Sequence, residues 1–159
     1  MRFQKGMTQL MSDSNVLNSI IEGVVEDVQK RIVPISQLRD QLQSAPKLRN
    51  AYAALRREPI SLIAEVKRSS PSKGELSPIT DPVSLAKSYQ EGGADLISVL
   101  TEERRFKGSI SDLVSLRAAL DVPVLRKDFI VTEFQVYESR ILGADLMLLI
   151  VAGLSKSQL

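Results

Sequence analysis

The chain has 159 residues, 43% hydrophobic and 25% charged, the composition of one ordinary globular domain. It holds neither cysteine nor histidine, which excludes disulfides, thiol nucleophiles, Cys- or His-ligated metals and the Ser-His-Asp triad, and leaves acid–base chemistry to Lys, Glu, Asp or Tyr. The net charge of +2, from 21 basic and 19 acidic residues well interspersed, suits a small anionic substrate and lacks the dense basic stripe of a nucleic-acid binder.

No secretory pattern follows Met1-Arg2-Phe3-Gln4-Lys5-Gly6. No run approaches the roughly 18 apolar residues of a bilayer span. A cytoplasmic protein without a membrane partner is expected. From residue 12 to 58 the periodicity is helical. Val16, Leu17, Ile20, Ile21, Val24, Val25, Val28 and Ile32 share a stripe, with Ser12 or Ser14 as N-cap and Pro34 as the break. A shorter helix is expected after Ser36, with Leu38 and Leu42 on one face. A third is expected after Pro46, with Leu48, Ala51, Tyr52 and Leu55 as its stripe, ending at Pro59. Residues 1–58 thus read as a helical extension.

Residues 59–159 change character. Four continuous apolar runs, Ile60–Val66, Asp95–Leu100, Val122–Leu125 and Leu146–Val151, read as parallel strands covered on both faces. Helical segments near 82–91, 109–120 and 132–142 alternate with them, which implies βα units. Gly93-Ala94-Asp95-Leu96 recurs as Gly143-Ala144-Asp145-Leu146, each copy placed where a helix gives way to a strand. Its offset equals two units of about 25 residues, close to the spacing of a (β/α)₈ barrel. A whole barrel needs roughly 250 residues, and the part after the helices suffices for about four strands. The expected fold is therefore α/β, a half-barrel of the (β/α)₈ TIM-barrel class behind a helical extension.

Chemistry in such a barrel gathers at the C-terminal strand ends. With period two, Ile63, Glu65 and Lys67 share the inner face of the first strand, and Leu62, Ala64 and Val66 face the helices. Glu65 and Lys67 are either a structural ion pair or a ligand site. Pro123, Leu125 and Lys127 share a face of the third strand, with Lys127 at its C-terminal end. Two inward lysines point to an anion. The loop Ser69-Ser70-Pro71-Ser72-Lys73-Gly74 is rich in hydroxyls but lacks the Walker spacing. Phe106, in the charged loop Thr101–Gly108, either covers a flat ring or tacks the loop down.

At these residues the sequence resembles a known family. Ile63-Ala64-Glu65-Val66-Lys67-Arg68-Ser69-Ser70-Pro71-Ser72 resembles the first-strand signature of indole-3-glycerol-phosphate synthases. Ile97-Ser98-Val99-Leu100-Thr101-Glu102 with Phe106-Lys107-Gly108-Ser109 is similar to their second strand and loop. Pro123-Val124-Leu125-Arg126-Lys127-Asp128-Phe129-Ile130 is similar to their third, and Gly143-Ala144-Asp145 with Leu148-Leu149-Ile150 to their fourth.

The resemblance implies a cofactor-free carboxy-lyase of tryptophan biosynthesis. It closes the ring of 1-(2-carboxyphenylamino)-1-deoxyribulose 5-phosphate, with loss of carbon dioxide and water, to give indole-3-glycerol phosphate. By that match Lys127 is the general acid, Lys67 pairs with the anthranilate carboxylate, and Glu65 holds the lysines. Ser70 contacts substrate, and Phe106, Phe129 and Leu148 line the aromatic ring. The family's general-base glutamate, an active-site asparagine and most phosphate-binding groups lie on later strands, beyond the positions matched here. An inactive half-barrel that self-associates or needs a complementary chain is the alternative, and another phosphosugar barrel enzyme, such as an isomerase, a further one.

Overall fold

The computed structural model describes residues 2–58, 60–76 and 78–159, with side chains from residue 16 onward. Helix α1 spans Arg2–Gln29 and buries Ile20, Val24 and Val28, successive positions four apart on one helical face. It extends N-terminal of the expected cap at Ser12 or Ser14, whose side chains lie outside the described residues. It also stops short of Ile32, which is exposed ahead of Pro34. Helix α2, Ile35–Leu42, starts directly after Pro34 and buries Leu38.

The third helix differs most from expectation. Helix α3 covers only Ala51–Ala54, capped by the Asn50 side chain, which accepts from the Ala53 amide. Leu48, Tyr52 and Leu55 are exposed rather than forming a buried stripe. A polar strap holds this stretch instead. The Arg49 guanidinium donates to the carbonyls of Arg117, Leu120 and Val122, and the Arg49 amide donates to Asp145. The Arg117 and Leu120 carbonyls end a helix that has no further residues to satisfy them, so the arginine serves as its C-terminal cap and also holds the turn that follows at Val122. The expected end at Pro59 lies outside the described residues.

The remaining elements alternate. Strand β1 (Ile63–Val66) leads into a small antiparallel hairpin, β2 (Ser69–Ser70) with β3 (Gly74–Glu75), which the sequence reading treats only as a loop. Then follow α4 (Pro82–Glu91), β4 (Leu96–Leu100), α5 (Ile110–Ala119), β5 (Val124–Lys127), α6 (Glu133–Ile141) and β6 (Leu146–Met147). The fourth strand covers only Leu146–Met147 of the expected Leu146–Val151, and a turn of 3-10 helix, Val151–Gly153, begins at the last residue of that run. The helices begin on side-chain caps from Asp81, Ser109 and Thr132, the last closing a capping box with Gln135.

The large sheet runs β1-β4-β5-β6, every pairing parallel. This sequential order, with helices packed along one face, is an arc of four units of a (β/α)₈ barrel. On the helix side Val66, Ile97, Val99 and Val124 pack with Ala86 and with Leu113, Leu116 and Leu120. Among the described strands only β4 is buried along its whole length; Ile63 and Leu62 at the β1 edge are half exposed. A second cluster joins Ile20, Val24, Val28 and Leu38 to Phe134 of α6, so that the N-terminal helices are mounted on the barrel wall.

The tetrapeptide repeat is a structural repeat. Gly93 and Gly143 both take positive φ, +96° and +92°, to end α4 and α6. Asp95 then accepts from the Leu62 amide at 2.9 Å and returns its own amide to the Leu62 carbonyl. Asp145 does the same to Val124. Each aspartate therefore clamps the start of the preceding strand and sets the register Ile63 to Leu96 and Leu125 to Leu146.

Alanine at either glycine should destabilise the fold by about 1–2 kcal/mol through the left-handed backbone alone. Gly143→Ala should lose about 1 kcal/mol more. Its Cβ would lie 2.8 Å from Arg117 Cγ and displace that guanidinium from the Gly143 and Lys47 carbonyls, whereas Gly93 has open space. Urea unfolding midpoints of the two variants check this; equal losses would mean that Arg117 yields freely.

Candidate active site

Parallel strands present their C-terminal ends on one rim, and the pleat sends alternate side chains inward. Glu65 of β1, Ser98 of β4 and Lys127 of β5 all come from the inward set, joined by Lys67 one step beyond β1. Their side chains meet. Glu65 Oε1 lies 2.9 Å from Lys67 Nζ, and Glu65 Oε2 lies 3.3 Å from Lys127 Nζ. Ser98 Oγ donates to Glu65 Oε2 at 3.3 Å.

The three charged groups are about a third exposed, open toward the inner face rather than sealed in a core. Burial works to raise the Glu65 carboxyl pKa, but the hydrogen bond from Lys67 and the charge of Lys127 outweigh it, and the value falls below the ordinary carboxylate one. The carboxylate thus stays ionised between two ammoniums. This leaves a net positive site, one carboxylate against two cations, at the mouth of the arc. Such a cluster attracts an anion and holds a proton donor beside it.

The aromatic pair forms a separate group. Phe106 and Phe129 have ring centroids 6.0 Å apart, tilted by 39°, a favourable edge-inclined contact. Both pack on the cluster under α1 and α6. Glu102 shapes that loop by accepting the amides of Arg104, Arg105 and Phe106. Arg104 then grips Asp27 of α1 at 2.6 and 2.7 Å and holds its carboxyl far below the usual carboxylate range.

Ser70 and Leu148 are less tightly drawn in. Ser70 sits in the hairpin, where its Oγ accepts from the Lys73 amide at 3.3 Å. Leu148 follows β6, its amide donating to the Arg126 carbonyl at 3.4 Å, and remains partly exposed beside the lysine strand. Among the described residues no group of three carboxylates converges as a metal-ligand set.

Sequence reasoning passed over Ser98, although a lone hydroxyl within Leu96-Ile97-Ser98-Val99-Leu100 is a usable signal of an inward polar position. It also passed over the partners of Arg126 and Asp128, which flank Lys127. No described helix is long and apolar enough to cross a membrane.

Comparison with known proteins is consistent with this geometry. Residues 17–159 match the family model for indole-3-glycerol phosphate synthase. The chain is 53% identical over 148 residues to the indole-3-glycerol phosphate synthase of Mycolicibacterium smegmatis, covering 92% of this chain and 54% of the relative. To that of Mycobacteroides abscessus it is 53% identical over 151 residues, 94% of this chain and 56% of the relative. To that of Streptomyces griseus it is 53% identical over 147 residues, 91% of this chain and 55% of the relative. The chain spans about half the length of the curated relatives it matches.

Glu65→Gln keeps the shape of the side chain and removes the charge that balances the lysines. Because the folded-state pKa of Glu65 is lowered, its contribution is fully present above the unfolded value, about 4.3, and disappears as the pH falls through the folded one. Wild type should therefore exceed the variant by about 1 kcal/mol at neutral pH, and the gap should close in acid. Urea unfolding at pH 7 and pH 3 tests it; a gap equal at both would remove the charge argument.

Proposed function

Because the chain belongs to the indole-3-glycerol phosphate synthase family, we propose that it carries the proton-donating side of that carboxy-lyase reaction. The substrate in this reading is 1-(2-carboxyphenylamino)-1-deoxyribulose 5-phosphate and the product indole-3-glycerol phosphate, made in the cytoplasm for tryptophan synthesis. One observation supports it above others. Two ammoniums and a carboxylate from the ends of β1 and β5 meet at the C-terminal rim of the arc, within 2.9 and 3.3 Å.

In the reaction the aromatic carbon bearing the carboxylate attacks the sugar ketone, and negative charge grows on the ketone oxygen. Lys127 is the group that meets it, supplying a proton and positive field together. Lys67 pairs with the substrate carboxylate and orients it until carbon dioxide leaves. Glu65 keeps both ammoniums at the rim in the free protein and is displaced from one of them when the anionic substrate arrives. Phe129 and Phe106, which pack on the α1 and α6 cluster, and Leu148 beside Lys127 form the apolar wall for the ring. Ser70 contacts substrate from the hairpin.

The general base and the main phosphate grip belong, in this reading, to strands beyond the four described. A complementary half-barrel or a second copy of this chain would complete the wall. Within the described residues β1 and β6 each have a single strand neighbour. Ile63, Leu148 and Leu149 are partly exposed on or beside these edges.

Turnover followed by indole fluorescence tests the reading. Lys127→Ala should lower kcat by about 10²–10⁴-fold, and Lys67→Ala should raise KM chiefly. Turnover indifferent to Lys127→Ala would overturn the assignment, as would folded protein with no turnover alone or with a complementary half.

A further inference from the structure

The opposite face of β5 carries a second charged cluster, out of reach of the inner rim. Arg126 is fully buried there. Its guanidinium donates to Asp128 Oδ2 at 2.9 Å, to Glu138 Oε2 at 2.9 Å, to Ser139 Oγ at 3.1 Å and to Thr101 Oγ1 at 3.2 Å. Asp128 spends its remaining capacity on the Phe129 amide at 2.8 Å and the Thr101 hydroxyl at 2.5 Å. Glu138, on α6, is also gripped by Arg31 from the end of α1, at 2.7 and 3.2 Å. The cluster balances two guanidiniums against two carboxylates.

Its position in the sequence is what gives it meaning. Arg126 and Asp128 are the two neighbours of Lys127, and Asp128 also bonds the amide of Phe129. Fixing residues on both sides of a strand position fixes the pleat, and with it the direction of the side chain between them. Replacing a buried ion cluster by well-packed apolar residues is often neutral or stabilising, so its four charges are weak evidence of a purely stabilising role. Burial works to raise the Glu138 pKa, but the hydrogen bond from Arg31 and the charge of Arg126 outweigh it, which keeps the carboxylate ionised within the wall.

We propose that Arg126, Asp128, Glu138 and Arg31 are positioning residues that aim Lys127 at the inner rim, and that Arg31, two residues past the end of α1, ties the N-terminal helix into this device. The inference rests on the catalytic reading of Lys127, yet it has a readout that needs no turnover. Lysine side-chain NMR, with the Lys127 signal assigned by Lys127→Arg, reports whether the ammonium is still held against Glu65.

In Asp128→Asn and in Arg31→Gln that signal should move toward the position of exposed lysines. kcat should fall about 10–100-fold, the scale expected for a misplaced reacting group, while KM changes less than about twofold. Arg31→Lys should restore a good part of both. Arg31 is at the edge of the cluster with a third of its side chain exposed, so its variants decide the matter if Asp128→Asn fails to fold. An unmoved Lys127 signal in the folded Arg31→Gln protein would overturn the proposal. Absence of turnover in the wild type would instead fail the catalytic reading and leave the NMR comparison standing.

Discussion

Charge at the end of a buried strand has to meet opposite charge, and β5 carries charge on both of its faces. Lys127 points into the arc and finds Glu65 of β1; Arg126 and Asp128 point out and find each other, Thr101 and Glu138. Desolvation of an unpaired ion would cost several kcal/mol, so each face of this strand dictates what its neighbours must supply. The first strand supplies a carboxylate and the last helix of the wall supplies another. Arg31, in the turn just after the N-terminal helix, adds the guanidinium that balances the outer set.

The two rims of the arc divide labour in a way that this constraint explains. At the N-terminal rim the charged groups are consumed by backbone. Asp95 and Asp145 clamp strand starts, while Arg49 and Arg117 cap carbonyls, leaving little of these side chains free for a ligand. At the C-terminal rim Glu65, Lys67 and Lys127 bond, among the described residues, only to one another and to Ser98, partly open to the inner face. Conserving the backbone at one end and side-chain charge at the other is how a parallel barrel separates stability from chemistry.

The loop after β4 shows how the helical extension enters the same design. Three amides converge on Glu102, which curls the loop, and Arg104 anchors it to Asp27. Phe106 is thereby pressed beside Phe129, the residue next to Asp128. Helix α1 therefore touches both the aromatic pair and, through Arg31 and Glu138, the strand of Lys127.

Much of this was legible in the amino-acid order because it depends on local period. Strands and helices alternate as their apolar runs do, and α4 covers the 82–91 expected of it. Glu65, Lys67 and Lys127 face inward because a pleat alternates strictly. The Gly-Ala-Asp repeat marks equivalent helix-to-strand corners because a left-handed residue and a short carboxylate are both local requirements. What periodicity misjudged was decided by distant partners. The stripe after Pro46 became a short helix under an arginine strap, since the carbonyls that Arg49 caps lie about 70 residues away in the chain. The first and fourth strands are shorter than their apolar runs, and each has a single strand neighbour among the described residues. Whether Glu65 balanced one lysine or two, and where Arg126 found its carboxylates, depended on which strand and helix ends were folded together. Residue order determined which charges exist and which way they face; only the tertiary structure decided which of them meet, because pairing is set by distance across strands and not by position along them.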